Sequence, residues 1–476
     1  MRLNVKQMCH YCGGVLLVEP IDASKLACNI TWDSRVVAVD DVYVALPGDR
    51  VDGHDFVAAA LQRGAAVVLV MQPPDAASCA LAREMGAAII EVANTATAIT
   101  DLARGWRSHL HARVLGLTGS TGKTTTKNLV RDVVAAQFRV VATAGNQNNE
   151  LGVPKTLLTA DPETEVVIVE MGMRGSGQLT QLCDFVKPDW GLITNVGTSH
   201  IELLGSRDNI ARAKAELIAA LPPHTGRAFI NASDEYRDFV CEQANVSSRG
   251  IEVCLFDGSM SASKNAEVFA TDIELDAQGR PHFILHTPTG TAPCALNVRG
   301  LHNVHNACAA AAVGTALGME VSLIASALNH AEPEAGRQEV LRAREGFTVI
   351  HDAYNANPDS MRASLLLFDA LEVVGRRIAV LGDMGELGDF AVACHEEVGS
   401  LVATLDVDYL ICIGDLAEHI AAAARKGGMD HERILETQSI ADALTALEMR
   451  LEPEDAVLVK ASHSMGLERI VGGLVN

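Results

Sequence analysis

The chain has 476 residues, more than one ordinary hydrophobic core accommodates, so about three domains are expected. Its 48% hydrophobic and 21% charged residues are those of a soluble globular protein, and with aromatics at 4% the core must rest on Ala, Val, Leu and Ile. A net charge of −22 excludes a nucleic-acid partner held by bulk electrostatics, while anionic small molecules can still be held by a helix N-terminus and a few Lys and Arg.

From the amino terminus to about residue 112, short apolar strands (Val36–Val39, Val42–Ala45, Ala66–Val70) alternate with helical stretches such as Phe56–Arg63. Cys9-His10-Tyr11-Cys12 is a lone C-x-x-C with no second pair at zinc spacing, which reads as isolated thiols. Eleven scattered cysteines and no export signal lead to the expectation of a reducing cytoplasm.

From Arg113 the pattern turns βαβ-like. Val114-Leu115-Gly116-Leu117 reads as a buried strand, and Lys127 to Val134 has helical period. Between them lies Thr118-Gly119-Ser120-Thr121-Gly122-Lys123-Thr124-Thr125-Thr126, a glycine-rich turn that aims backbone N–H groups and a helix dipole at an anion. Lys123 would reach the terminal phosphates of ATP or GTP, and the Thr124 hydroxyl would ligate Mg²⁺. The first glycine of G-x-x-x-x-G-K-S/T would fall at Leu117, so the loop is the shorter G-x-x-G-K-T form beginning at Gly119.

Strands follow at Val140–Thr143, Glu165–Met171 and Trp190–Asn195. The second carries Glu170 at its carboxyl end, where a phosphate-loop sheet places an acid for Mg²⁺. Gly145 to Pro154 packs Asn146, Gln147, Asn148 and Asn149 between glycines and reads as a ligand loop. His200 sits in the polar loop after Asn195, where a histidine meets a metal or phosphate or simply faces solvent. Lys214, on the apolar face of the helical run Asn209–Ala220, reads as a lysine snorkelling from the edge of the core.

Residues 250–298 alternate polar and apolar around Asp276-Ala277-Gln278-Gly279, the pattern of a hairpin. Gly300 to Asn306 opens the Ala-rich run Ala307–Met319, too short to span a bilayer and therefore a buried helix, with Asn303 as a cap or ligand contact. A third unit starts near Gly336, with strands Thr348–His351, Arg377–Leu381, Tyr409–Ile413 and Ala456–Lys460 alternating with helices. His351 to Pro358 and Leu381 to Gly388 follow two of these strands, at the ligand end of a parallel sheet. The expected fold is thus α/β in three domains: a smaller α/β unit at 1–112, a central phosphate-loop unit at 113–332 with a mainly parallel sheet and helices on both faces, and a Rossmann-like, doubly wound unit at 333–476.

Taken together, these segments resemble the Mur ligase superfamily of ATP-dependent amide-forming enzymes, over nearly the whole chain. Asp33-Ser34-Arg35, Ala45-Leu46-Pro47-Gly48 and Asp52-Gly53-His54 are similar to that family's uridine-nucleotide module. The phosphate loop, Gly145–Pro154, Glu170-Met171-Gly172, Asn195 to His200 and Gly300–Asn306 resemble its central ATPase; Gly336-Arg337, Asp352–Ser360 and Gly382–Gly388 resemble its carboxy-terminal module. Asn355-Ala356-Asn357-Pro358 and Gly382-Asp383-Met384 are similar to the branch that adds a D-alanyl-D-alanine dipeptide, and the Asp-Asn-Pro-Arg motif of the diaminopimelate-adding branch is absent.

The resemblance implies UDP-N-acetylmuramoyl-tripeptide and D-alanyl-D-alanine as substrates, ATP and Mg²⁺ as cofactors, an acyl phosphate between them, and a monomer with neither nucleic-acid nor membrane partners. It implies that Gly119, Ser120, Thr121, Gly122, Lys123, Thr124 and Thr125 hold ATP, with Asn303 near the adenine and Arg337 and Asp352 closing from the third domain. It gives Thr124 to one Mg²⁺ and Glu170 and His200 to a second, with Lys214 carbamylated into a bridging carboxylate; Lys123, Lys214 and His200 are then catalytic. Ser34, Arg35, Asn146, Asn149, Asn355 and Asn357 become the expected substrate contacts. Pro47 stands where the family has lysine, and His463 where it has arginine. A sister ligase with another acceptor and a nucleotide-gated regulatory relative are the alternatives; intact Lys123, Glu170, His200 and Lys214 disfavour the second.

Overall fold

The structure, a computed structural model, describes residues 1–48, 50–263 and 265–475. Its strands form three main sheets that succeed one another along the chain, all mainly parallel and wrapped by helices, as the alternating pattern predicts. The first runs Val15–Val18, Ala88–Glu91, Val67–Val70, Val42–Val44, Ile30–Thr31, parallel after its antiparallel first pair.

The central sheet has nine strands. Arg113–Thr118 lies between Val166–Glu170 and Trp190–Ile193, parallel to both, and Val140–Ala142 closes that edge. On the other side follow Arg227–Asn231, Glu252–Asp257 and Val268–Leu275, in parallel, before an antiparallel meander through Pro281–Thr287 and Gly290–Ala295. The chain thus steps outward from Arg113–Thr118, returns beside it and then crosses over. Strand order reverses there, and the crevice at the carboxyl ends of these strands is the ligand position of such a sheet. Val166-Val167-Ile168-Val169 is buried throughout, as an interior parallel strand requires.

The scarcity of aromatics is met by small side chains. The helix His302–Ala316 packs its buried Ala307 and Ala309–Ala312 run between the sheet and the phosphate-loop helix Lys123–Ala135. The third sheet runs Glu339–Arg342, Thr348–His351, Ala456–Lys460, Arg377–Gly382, Tyr409–Ile413, Ile434–Thr437, parallel except for its first pair. The helix Thr95–Arg107 ties the first unit to the second: Trp106 Nε1 donates to the Ala160 carbonyl at 2.9 Å and Arg107 Nε to that of Val186 at 2.9 Å.

Several expectations need correction. Val36–Val39 is a turn, because Asp33 Oδ1 accepts from the Arg35 N–H at 2.9 Å and Asp41 Oδ2 from the Ala38 N–H at 2.9 Å. Only Val37 is buried there, with Val36 65% and Val39 70% exposed. The strand expected at Trp190–Asn195 stops at Ile193, where the chain turns to brace the phosphate loop. The Ala-rich helix starts at His302 with Leu301 as its non-bonding cap, so Asn303 is a buried helical residue and not a cap.

Candidate active site

One cavity of about 1450 Å³ opens where the central and third units meet, lined by the phosphate loop, the amide loop, the start of the Ala-rich helix and the strand ends of the third unit. Glycine is required twice in the loop. A Cβ at Gly119 would stand 1.8 Å from Thr194 Oγ1, and Gly122 holds φ +74 as the cap of the helix Lys123–Ala135. The loop is braced from the side: the Thr121 N–H donates to Asn195 Oδ1 at 3.0 Å, the Gly197 N–H to Ser120 Oγ at 2.8 Å, and Ser199 Oγ to the Ser120 carbonyl at 3.0 Å. Gly119→Ala should therefore displace Thr194 and cost about 1–3 kcal/mol. The check is a lower melting temperature together with weaker binding of ADP.

Lys123 Nζ lies 2.7 Å from the Gly119 carbonyl, folded back over the loop. Burial lowers its pKa, Glu170 opposes this and Arg337 adds to it. An ammonium desolvated beside a ring of N–H groups gains most from an arriving polyphosphate.

Glu170 is 0% exposed, and its Oε1 accepts from Asn148 Nδ2 at 2.8 Å and from Thr124 Oγ1 at 3.3 Å. Its Oε2 is buried without a hydrogen-bond partner, and Lys127 Nζ stands 3.8 Å away. An unsatisfied buried carboxylate oxygen beside a threonine hydroxyl and a phosphate loop is an oxygen donor set that fits Mg²⁺. Among the described residues no three His, Cys, Asp or Glu side chains form a ready-made metal cluster. Glu170 and His200 both line the cavity, and His200 Nδ1 bonds to Glu386 of the third unit. Burial lowers the His200 pKa, against the pull of Glu386.

The snorkelling reading of Lys214 is overturned: the residue is 1% exposed. Burial, reinforced by Lys123 and opposed by Asp234, drives its pKa well below the ordinary value, toward the neutral amine.

From the third unit, Arg337 Nη2 donates to Thr124 Oγ1 at 3.2 Å, and its guanidinium lies 4.1 Å from the centre of the Tyr354 ring. Asp352 is buried, paired with Lys460 Nζ at 2.7 Å and bonded by the Ser364 hydroxyl. Asn357 caps the helix Pro358–Ala370 and also crosses between units, its Nδ2 donating to Ser199 Oγ at 2.7 Å. Asn355 lines the cavity with its own Oδ1 accepting from the Ala356 N–H. Asn303, on the cavity wall, donates to the Arg299 carbonyl and accepts from Asn306 Nδ2. His463 also reaches the cavity, its ring 5.8 Å from that of Tyr354.

Two groups of expected residues do not fall as anticipated. Asn146 and Asn149 line the cavity, but Asn149 Oδ1 is spent on the Gly152 N–H at 3.0 Å, and Asn148 is the amide that reaches Glu170. Ser34 and Arg35 stand outside this cavity; the Arg35 guanidinium is bound back onto Asp33 at 2.8 Å and its side chain is 85% exposed. Lys127, Tyr354, Glu386 and Lys460 were not singled out by the sequence reading, and Asn148 was named only as one amide of the ligand loop. Lys460 carried a readable signal, a charge ending an apolar strand as Glu170 does.

Burial pushes the His302 imidazole down to about 4, against an opposing pull from Asp352. Its folded pKa thus lies below the ordinary 6.5, so the unfolded chain binds more protons between the two values, and stability is lost as pH falls through that window. The melting temperature should be lower at pH 5 than at pH 7, and His302→Gln should shrink the difference in a thermal-shift comparison.

The comparisons with known proteins agree with this geometry. Three family models match in succession: the Mur ligase family catalytic domain at 28–107, the Mur ligase middle domain at 117–314 and the glutamate ligase domain at 336–463. A UDP-N-acetylmuramoyl-tripeptide–D-alanyl-D-alanine ligase of Mycobacterium tuberculosis is 37% identical, covering 100% of this chain and 98% of that protein. The chain belongs to the Mur ligase family. The ligase of the same name from Bacillus subtilis is 33% identical to this Mur ligase, with 100% and 99% covered. Among solved structures, MurF from Acinetobacter baumannii superposes with a TM-score of 0.82 at 30% identity, covering 100% of this chain and 99% of that one. MurF from Thermotoga maritima, solved in complex with ADP, gives 0.76 at 26% identity over 94% and 96%.

Proposed function

We infer that this Mur ligase joins D-alanyl-D-alanine to UDP-N-acetylmuramoyl-tripeptide in peptidoglycan synthesis, forming the amide bond at the expense of ATP and releasing ADP and phosphate. Full-length similarity to ligases of that name supports the substrates. The observation that carries the chemistry is that Lys123 of the central unit and Arg337 of the third line one cleft, Lys123 folded over the Gly119 end of the phosphate loop and Arg337 bonded to the Thr124 hydroxyl at its other end.

In this reading the loop N–H groups from Gly119 to Thr125 and Lys123 cradle the ATP phosphates, with Arg337 and Asp352 closing the nucleotide from the third unit and Asn303 beside the base. The tripeptide carboxylate attacks the terminal phosphate, and the dipeptide amine then displaces phosphate from the acyl phosphate. Lys123 and Arg337 stabilise charge spread over the transferring oxygens, so catalysis is mostly positioning and electrostatics. One Mg²⁺ held by Thr124 and a second held by Glu170 and His200, with a carbamylated Lys214, would neutralise further phosphate charge. The low basicity of Lys214 supports that modification, since the neutral amine is the form that adds carbon dioxide.

Asn146, Asn149, Asn355 and Asn357 are proposed to face the muropeptide and dipeptide, and Ser34 and Arg35 to form a separate uridine-nucleotide subsite on the first unit. The proposed domains are 1–112, 113–332 and 333–476. The reading includes action as a monomer in the cytoplasm. Separately, no helix among the described residues is long and apolar enough to cross a membrane.

The test is the mass of the product formed with ATP, the tripeptide substrate and a panel of amines. D-alanyl-D-alanine alone should give product, as the pentapeptide. Product from a single amino acid in its place would assign a sister ligase, and no product with any amine would leave only a regulatory role.

A further inference from the structure

Nine non-glycine residues among the described ones hold a left-handed backbone. Two of them, His200 at φ 62 and Glu386 at φ 60, face one another across the boundary between the central and third units. Such strain persists only where the surroundings enforce it. His200 leads into the short helix Ile201–Leu204, which packs against the 3-10 turn Gly388–Phe390, and the Glu386 carbonyl accepts from the Glu202 N–H at 3.4 Å. The Glu386 carboxylate is shared: one oxygen bonds His200 Nδ1, and the other lies 3.4 Å from Arg174 Nε, in the loop that leaves the Glu170 strand. This carboxylate therefore reaches a site residue of the central unit only while the third unit is docked.

A carboxylate bonded to one imidazole nitrogen keeps the proton there and leaves the other nitrogen with its lone pair, the arrangement that orients metal-binding histidines. We propose that Glu386 is a positioning residue: on docking of the third unit it holds the proton on His200 Nδ1 and presents Nε2 to the metal side of the cavity, so that metal binding and docking are coupled. The proposal rests on the nucleotide and metal reading above. Coupling between binding events is reciprocal, so metal must in turn favour the docked state.

The probe is Mn²⁺ titrated into the full chain with ADP present, free ion being read by electron paramagnetic resonance and docking by the radius of gyration in small-angle X-ray scattering. Glu386→Ala should weaken Mn²⁺ binding by about 10- to 100-fold and remove the compaction that Mn²⁺ produces in the parent protein. Glu386→Gln, whose carbonyl oxygen still accepts from Nδ1–H, should recover part of both, and it serves as the test should the alanine variant fold poorly. Equal Mn²⁺ affinity in parent and folded variants overturns the proposal, and so does lost compaction with affinity unchanged, which would make Glu386 a latch alone. A parent protein that binds no Mn²⁺ overturns the metal reading together with this one.

Discussion

Lys123→Ala should reduce phosphate release by about 10³-fold while leaving the fold intact. The ammonium contributes little to stability as it stands: it is held by loop carbonyls, and burial already disfavours its charge. Its value lies in the transition state, where negative charge spreads over oxygens that the loop N–H groups reach only in part. Lys123→Arg should not restore the rate, because a planar fork cannot replace a point charge inside a loop closed around it. The measurement is phosphate release under saturating substrates, paired with a thermal melt. Near-normal turnover with an unchanged melt would remove Lys123 from the mechanism and with it the phosphate-site assignment.

Lys460→Ala acts on stability. It would strip the partner from Asp352, whose carboxylate is buried between Lys460 and the Ser364 hydroxyl. Breaking a buried pair from one side costs about 3–5 kcal/mol, whereas replacing both members with apolar residues costs far less. The single variant should therefore lose amide hydrogen-exchange protection in the strand Ala456–Lys460, and a Lys460→Met, Asp352→Leu double variant should regain most of it. The double variant should stay inactive, because Asp352 is a proposed nucleotide contact. Unchanged protection in Lys460→Ala would show that the pair contributes nothing to holding the third unit together.

The phosphate loop was legible because its chemistry is local: a strand, a glycine turn and Lys-Thr at the head of a helix lie within fourteen consecutive residues, Val114–Lys127. Glu170 was legible for the same reason, as a charge ending a run of Val and Ile. Lys460 carries the same signal, but its partner Asp352 is far away in the chain and only the parallel pairing of Thr348–His351 with Ala456–Lys460 brings them together. Lys214 misled because apolar spacing indicates which face a residue lies on and not how deeply that face is buried. Val36–Val39 misled because three valines in four residues outweigh turn residues in a pattern, while Asp33 and Asp41 decide the backbone through hydrogen bonds. Contacts across the cleft, such as Arg337 to Thr124, Asn357 to Ser199 and Glu386 to His200, depend on how two separate sheets dock, and no local pattern encodes that.

The central claim is that the muropeptide carboxylate is activated by ATP in this cleft, and isotope transfer tests it most directly. With oxygen-18 in the terminal carboxylate of the tripeptide substrate, the phosphate released on ligation of D-alanyl-D-alanine should carry one labelled oxygen, because the carboxylate oxygen that attacks phosphorus leaves with it. Unlabelled phosphate alongside pentapeptide product would mean that ATP is hydrolysed by water and the amide formed by another route, contradicting the account.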